Sequence, residues 1–243
     1  MTPCLRKKIF PSAQALSELE KMKTRVVQQK KHVNHGDVKL VSVNIRSLSK
    51  HYTDFLNEPK VQDSDVLLVQ QTCLKADEDT ARYHIANFEN QFISKGNGKG
   101  LALYYKNKFK HISNVSEDGY QMSKLSSTEF DLISVYRSSD QRLKSQKEFA
   151  RSLKSLINRP MQTIIMGDFN IDFNGDAKSS YILQDLLNFG LCQIIREPTH
   201  IEGGLIDHCY VSRNTLVQRL EVTQKSVYYT DHDIIEVLCK TVK

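Results

Sequence analysis

Ile164-Ile165-Met166-Gly167-Asp168-Phe169-Asn170 is a short apolar run that stops on Gly-Asp-Phe-Asn. The apolar part reads as a buried strand. Asp168 and Asn170 lie just past it, where they can turn the chain or carry chemistry. The same form recurs along the sequence. Strand 38–43 ends at Asn44, strand 65–69 at Gln70-Gln71, and strand 131–135 at Tyr136-Arg137. Gly203-Gly204-Leu205-Ile206 ends at Asp207-His208, and Tyr228-Tyr229-Thr230 leads into Asp231-His232-Asp233. Side chains at such ends can converge on one edge of a sheet, where open α/β architectures hold their ligands.

Strands are expected at 38–44, 65–70, 100–105, 130–136, 163–167, 191–195, 206–211, 219–223 and 234–239. Helices are fewer. Residues 145–158 set Phe149, Leu153, Leu156 and Ile157 on one face, and 179–189 do the same with Ile182, Leu183, Leu186 and Leu187 before Gly190. A weaker helix is expected at 47–57. This mixture predicts an α/β body with much of its sheet antiparallel. Glycines 96, 98 and 100 precede a strand with no helix behind it, so they read as a hairpin and not as a phosphate loop.

The chain has 243 residues, 40% of them hydrophobic and 26% charged. That suits a globular domain and excludes a disordered chain. The longest apolar run, Leu101 to Tyr105, is far short of the ~20 residues of a membrane span. The first residues lack the apolar core of a secretory signal. Five cysteines (Cys4, Cys73, Cys192, Cys209 and Cys239) without CxxC spacing argue against a disulfide framework or a zinc site, and for an intracellular chain. Residues 1–37 carry eight Lys/Arg against three Asp/Glu, most of the net +6. They read as a basic lead-in with a helix at 12–32, bearing Lys21, Lys23, Arg25, Lys30 and Lys31. Such a segment either touches nucleic acid or is a solvated helix face.

The strand-end inventory is Asn, Asp, His and Tyr. It has no cysteine or serine nucleophile with a base. Hard oxygen donors suit Mg²⁺, and phosphodiester hydrolysis by an activated water fits the set. Each piece alone has a blander reading. Gly-Asp-Phe-Asn can be a plain turn, Asp231-His232-Asp233 can be surface polarity, and His200 and His208 read as structural. Order and spacing raise the set above its parts.

The ordered series SVNIRSL (42–48), VLLVQQT (66–72), GLALYYK (100–106), LISVYRS (132–138), IIMGDFN (164–170), GLIDHCYVS (204–212) and TDHD (230–233) resembles the endonuclease/exonuclease/phosphatase superfamily. The resemblance covers about 38–243 and implies a deoxyribonuclease I-like, four-layer α/β/β/α sandwich over those residues. Within the superfamily, YRS, PTHIEGG (198–204) and DHD look most like endonuclease-like domains of transposable elements, LINE-type or Helitron-type. That implies DNA as substrate, a nuclear setting, and a larger helicase- or transposon-derived chain around the domain. It also implies roles. Asn44, Gln71 and Asp231 stand where the family holds its metal, Mg²⁺ with Mn²⁺ as a substitute. Tyr136 would reach the scissile phosphate. Asp168 would activate the water that Asn170 holds. Asp207 would orient His232, which would stabilise the phosphorane-like charge.

Two departures qualify these roles. Arg137, Ser138 and Ser139 follow Tyr136 where relatives often have Pro-Asn, leaving Arg137 and Ser139 as candidate phosphate donors. Gln71 replaces the metal-binding glutamate, and a carboxamide supplies one neutral oxygen in place of a charge, so metal should bind more weakly. A decayed copy, a repurposed binding domain and a disabled variant all fit that change. The expected activity is therefore a weakened or absent Mg²⁺-dependent DNA hydrolase. A catalytically dead domain binding nucleic acid or protein, and a hydrolase of small or lipid phosphoesters, are the alternatives.

Overall fold

The computed structural model describes residues 36–95, 98–139, 143–157, 161–175, 180–212 and 217–241. The expected helix at 12–32 and its five basic residues lie outside them. In chain order come β1 (Val38–Asn44), α1 (Leu48–Leu56), α2 (Pro59–Gln62), β2 (Val66–Gln70), a 3₁₀ turn (Ala81–Tyr83), β3 (Glu89–Ile93) and β4 (Leu101–Tyr105). Then follow β5 (Lys110–Ser116), β6 (Tyr120–Ser126), β7 (Asp131–Arg137), α3 (Leu143–Leu156), β8 (Thr163–Asp168) and α4 (Ser180–Asn188). β9 (Leu191–Gln193), β10 (Asp207–Ser212), β11 (Val217–Lys225) and β12 (Ile234–Thr241) complete the order.

The strands form two six-stranded sheets, ordered β11-β12-β1-β2-β4-β3 and β5-β6-β7-β8-β10-β9. Each sheet has one parallel pair, β1–β2 and β7–β8, and is otherwise antiparallel. A parallel pair needs a crossover, and helices supply both. α1 and α2 lie between β1 and β2, and α3 lies between β7 and β8.

Alternating residues set the layers. Leu40, Leu68, Leu103, Leu132, Ile164, Met166 and Val237 belong to one buried cluster drawn from both sheets. Their alternates in the first sheet, Val41, Val43, Leu67, Val69 and Tyr104, cluster with Leu48 and Phe55 of α1. Ile133, Val135 and Ile165 of the second sheet cluster with Phe149, Leu153 and Leu156 of α3 and with Ile182 and Leu186 of α4. The result is the expected α/β/β/α sandwich. Burying each such side chain contributes about 1.5–3 kcal/mol, so these layers supply the cohesion without a disulfide. Cys73, Cys192, Cys209 and Cys239 are all free thiols.

The nine expected strands are present, and three more appear. β3 and β5 are sheet edges with few apolar residues, and β5 is half solvent-facing. β6 (YQMSKLS) is buried although it is polar, and two of its polar side chains are paired. Gln121 Oε1 accepts from Gly100 N at 2.8 Å, and Lys124 Nζ donates to the Leu156 carbonyl at 2.9 Å and pairs with Asp131 at 2.7 Å. β9 stops at Gln193, short of the expected 195, where the side-chain oxygen of Gln193 accepts from Ile194 N and Ile195 N. The expected glycine hairpin is present as the antiparallel β3–β4 pair.

Gly167 is required by its neighbour. It pairs with Val135 at φ +143°, and a Cβ there would sit 2.0 Å from the Val135 carbonyl oxygen. Gly190, at φ +80°, ends α4 with nothing within 4 Å of an added Cβ. Gly167→Ala should therefore cost more than about 2 kcal/mol of stability, from strain and overlap together. Gly190→Ala should cost about 1 kcal/mol from backbone strain alone. Urea midpoints of the two variants check this, and equal midpoints would refute the close approach at Gly167.

Candidate active site

Asn44 ends β1 and Asp168 ends β8, and their side chains join the two sheets directly: Asn44 Nδ2 donates to Asp168 Oδ2 at 2.8 Å. The strand register brings Tyr136, Asp168 and Asp207 side by side, since β8 sits between β7 and β10. Asp168 is fully buried. Its Oδ1 accepts from Asn170 N at 2.8 Å, and its Oδ2 also accepts from Asn170 Nδ2 at 2.9 Å. Phe169 anchors this turn from beneath, stacked on the His208 ring at 4.8 Å and edge-on to Phe149 at 6.0 Å.

His232 enters from the loop before β12. It is buried, and its Nδ1 donates to Asp207 Oδ2 at 2.8 Å. Thr230 fixes this loop by donating its hydroxyl to the Asn44 carbonyl at 2.7 Å. Asp207 is held by its own N–H, which donates to Thr199 Oγ1 at 3.0 Å. One side-chain atom each from Asp168, Asp207 and His232 lie within 4.8 Å of one another.

Charge shifts follow from this packing. Burial and the adjacent Asp207 carboxylate push Asp168 well up from the ordinary carboxylate range, against the His232 charge and the hydrogen bonds from Asn170 and Asn44. Burial alone would lower His232, but Asp207, then Asp168 and Asp231, outweigh it and raise the imidazole from 6.5 to about 9. Burial likewise raises Asp231, yet His232, Arg46 and His200 hold it below its usual value.

The expected residues separate on this geometry. Asn44, Asp168, Asn170, Asp207 and His232 form one connected set. Asp231 adjoins it, its Oδ1 3.8 Å from His232 Nε2. Tyr136 is buried beside Asp168 and donates its hydroxyl to the Gly98 carbonyl at 3.0 Å. Gln71 is half-buried, and its Nε2 would lie 3.6 Å from a Cβ on Gly98, which places it near Tyr136. Arg137, expected as a phosphate donor, directs Nη1 at the backbone. It is buried, and its Nη1 donates to the carbonyls of Phe169 and Asn170, both at 3.1 Å, so it braces the Gly-Asp-Phe-Asn turn. Ser139 is exposed on the loop after β7.

His208 is structural, as expected. It is fully buried with Nε2 at 2.9 Å from the Ile171 carbonyl, and burial pushes its pKa down to about 4. His200 lies against the site: its Nε2 is 3.2 Å from Asp231 Oδ2, while its Nδ1 accepts from Glu202 N at 3.2 Å. Arg46, which sequence reading passed over, pairs with Asp231 through Nη1. A signal existed in its place two residues after Asn44. Among the described residues, five non-glycine residues have positive φ, and four of them (Arg46, Gln71, Cys73 and Asn170) flank this site. Such strain collects at functional sites.

The donor set fits a hard divalent cation. Asp231 Oδ1 is buried and has no hydrogen-bond partner among the described residues. Asn44, joined to Asp231 through Arg46, adds a neutral carbonyl oxygen, which suits a hard cation better than a soft metal.

The same fold occurs in solved nucleases and phosphatases. A 3′ phosphatase, NExo, from Neisseria, bound to a product DNA hairpin, superposes with TM-score 0.67 at 16% identity, over 82% of this chain and 98% of that one. An AP endonuclease from Archaeoglobus fulgidus gives 0.67 at 15%, over 82% and 98%. The endonuclease domain of TRAS1, a telomere-specific non-LTR retrotransposon, gives 0.65 at 14%, over 85% and 100%. By sequence, no curated protein matches. The sequence profile of one family runs from residue 41 to residue 232, through every strand end that builds the site. The chain with this sandwich and this seam of Asn, Asp and His belongs to the endonuclease/exonuclease/phosphatase family.

Proposed function

We propose that the domain is a Mg²⁺-dependent phosphodiester hydrolase acting on DNA, weakened by Gln71. The observation that carries this reading is the bridged pair of dyads, Asn44–Asp168 and Asp207–His232, at the seam of the sheets. Bound by Asn44, Gln71 and Asp231, the metal would supply positive charge to a phosphate oxygen.

The residues do the rest. Asp168, raised toward neutrality, takes the proton of the attacking water, and Asn170 holds that water in place. With Nδ1 given to Asp207, the charged His232 ring has Nε2–H left to donate to a non-bridging oxygen as negative charge grows there; the water's P–O bond forms as the P–O bond to the sugar breaks, and the departing sugar oxygen takes a proton from solvent. Tyr136 exchanges its bond to Gly98 for one to the phosphate. Nicking of supercoiled plasmid in Mg²⁺, absent with chelator and absent in Asp168→Asn, tests the reading. Nicking that survives Asp168→Asn would refute the assignment of the base.

DNA as the substrate is supported by residues 1–37, with net charge +5 from eight basic and three acidic residues. Deleting them should flatten the slope of log affinity against log salt, since fewer counterions are released. An unchanged slope would remove the lead-in from the DNA contact. A second reading, a domain that binds without cutting, draws support from Gln71 and from the Arg46–Asp231 pair, which both lower the negative charge at the metal end.

A further inference from the structure

Arg46 engages two of the three oxygen donors assigned to the metal. Its backbone N–H donates to Asn44 Oδ1 at 3.1 Å, and its guanidinium pairs with Asp231 Oδ2. A left-handed turn at Arg46, φ +55°, folds the side chain back over the strand end it has just left. The third donor, Gln71, is neutral. Asp231 is thus the one charged group among the three, and a side-chain cation already sits on it. Yet Arg46 is not locked there, since its side chain is 51% exposed. A half-exposed guanidinium next to a candidate phosphate site has a competing anion: phosphate offers the same two-oxygen edge as a carboxylate.

We propose that Arg46 is a resident counter-ion that exchanges between Asp231 and the substrate phosphate, so that metal and phosphodiester bind cooperatively. Without DNA, Arg46 competes with the metal for Asp231. A backbone phosphate draws the guanidinium away, Asp231 Oδ2 is released beside Oδ1, which accepts no hydrogen bond and lies 3.8 Å from His232 Nε2, and the metal then binds more tightly. His200 stays on Oδ2 at 3.2 Å and steadies the carboxylate in both arrangements. This inference rests on the proposed metal-dependent reading and adds an order of assembly to it.

The experiment is Mn²⁺ binding, read from the loss of the free-ion EPR signal, with and without a phosphorothioate DNA duplex. The proteins are the parent chain, Arg46→Gln, Arg46→Lys, Asp231→Asn and Gln71→Glu. Arg46→Gln should bind Mn²⁺ about 10-fold more tightly than the parent in the absence of DNA, within the usual range of coupling between sites. The duplex should raise the parent's Mn²⁺ affinity by a similar factor and leave that of Arg46→Gln unchanged. Arg46→Lys keeps the charge and should still suppress metal in the free protein. If Arg46→Gln binds Mn²⁺ no better than the parent while Asp231→Asn loses it, the counter-ion role is wrong and the metal site stands. If no protein binds Mn²⁺, Gln71→Glu included, the metal-dependent reading falls as well.

Discussion

Gln71→Glu should raise Mg²⁺-dependent DNA nicking by about 10–100-fold at low Mg²⁺, the range that even an outer partner of a metal commands. The glutamate would return one negative charge to a donor set in which Asp231 is the one carboxylate and is shared with Arg46 and His200. On the proposed reading position 71 sets metal affinity, so the gain should shrink as Mg²⁺ saturates. Gln71 tolerates the change sterically, since it is half-buried and near Gly98, a residue without a side chain. A gain that stays constant at all Mg²⁺ concentrations would mean that position 71 acts on the chemical step instead.

Asp207→Asn, made in the Gln71→Glu background, should reduce nicking by about a thousandfold or more, the scale seen when a histidine loses its orienting carboxylate. The amide can present a donor to Nδ1, which favours the wrong tautomer and removes the charge that keeps the imidazole protonated. NMR titration should find His232 near 9 with Asp207 present and clearly lower without it, since Asp207 is the largest of the charges that raise it. Stability follows the same proton. The folded pKa lies above the unfolded value of 6.5, so the pair's contribution is complete below about pH 6.5 and is lost as pH rises through about 9. The Asp207→Asn protein should lack that alkaline decline. A His232 pKa that does not move on this substitution would contradict the dyad.

The sandwich was legible because its central strands, β1, β2, β4, β7, β8, β10 and β12, are rich in apolar residues, and β2, β4 and β8 are nearly unbroken apolar runs. Strands β3, β5 and β6 were not legible. Two are edges whose hydrogen bonds need few apolar residues, and the third buries Lys124, which pairs with Asp131 across the β6–β7 hairpin and with the distant Leu156 carbonyl. The site showed the same division. Asn44, Asp168, Asp207 and His232 announce themselves by position at strand ends. Arg137 sits at such an end too, but a strand end fixes only where the backbone arrives, and its guanidinium turns inward to the carbonyls of Phe169 and Asn170. Arg46 was hidden for the opposite reason: its partner Asp231 is 185 residues away, and only the folded chain brings them together.

On the proposed reading, Asp168, Asp207 and His232 are held back by one charge missing at position 71. This is tested most directly by nicking of supercoiled plasmid across a Mg²⁺ titration, using the parent, Gln71→Glu, and Gln71→Glu with Asp168→Asn. The expected result is weak or no nicking by the parent, strong nicking by the single variant at low Mg²⁺, and none by the double variant, whose water would lack its base. A Gln71→Glu protein that nicks no better than the parent at any Mg²⁺ concentration would contradict it.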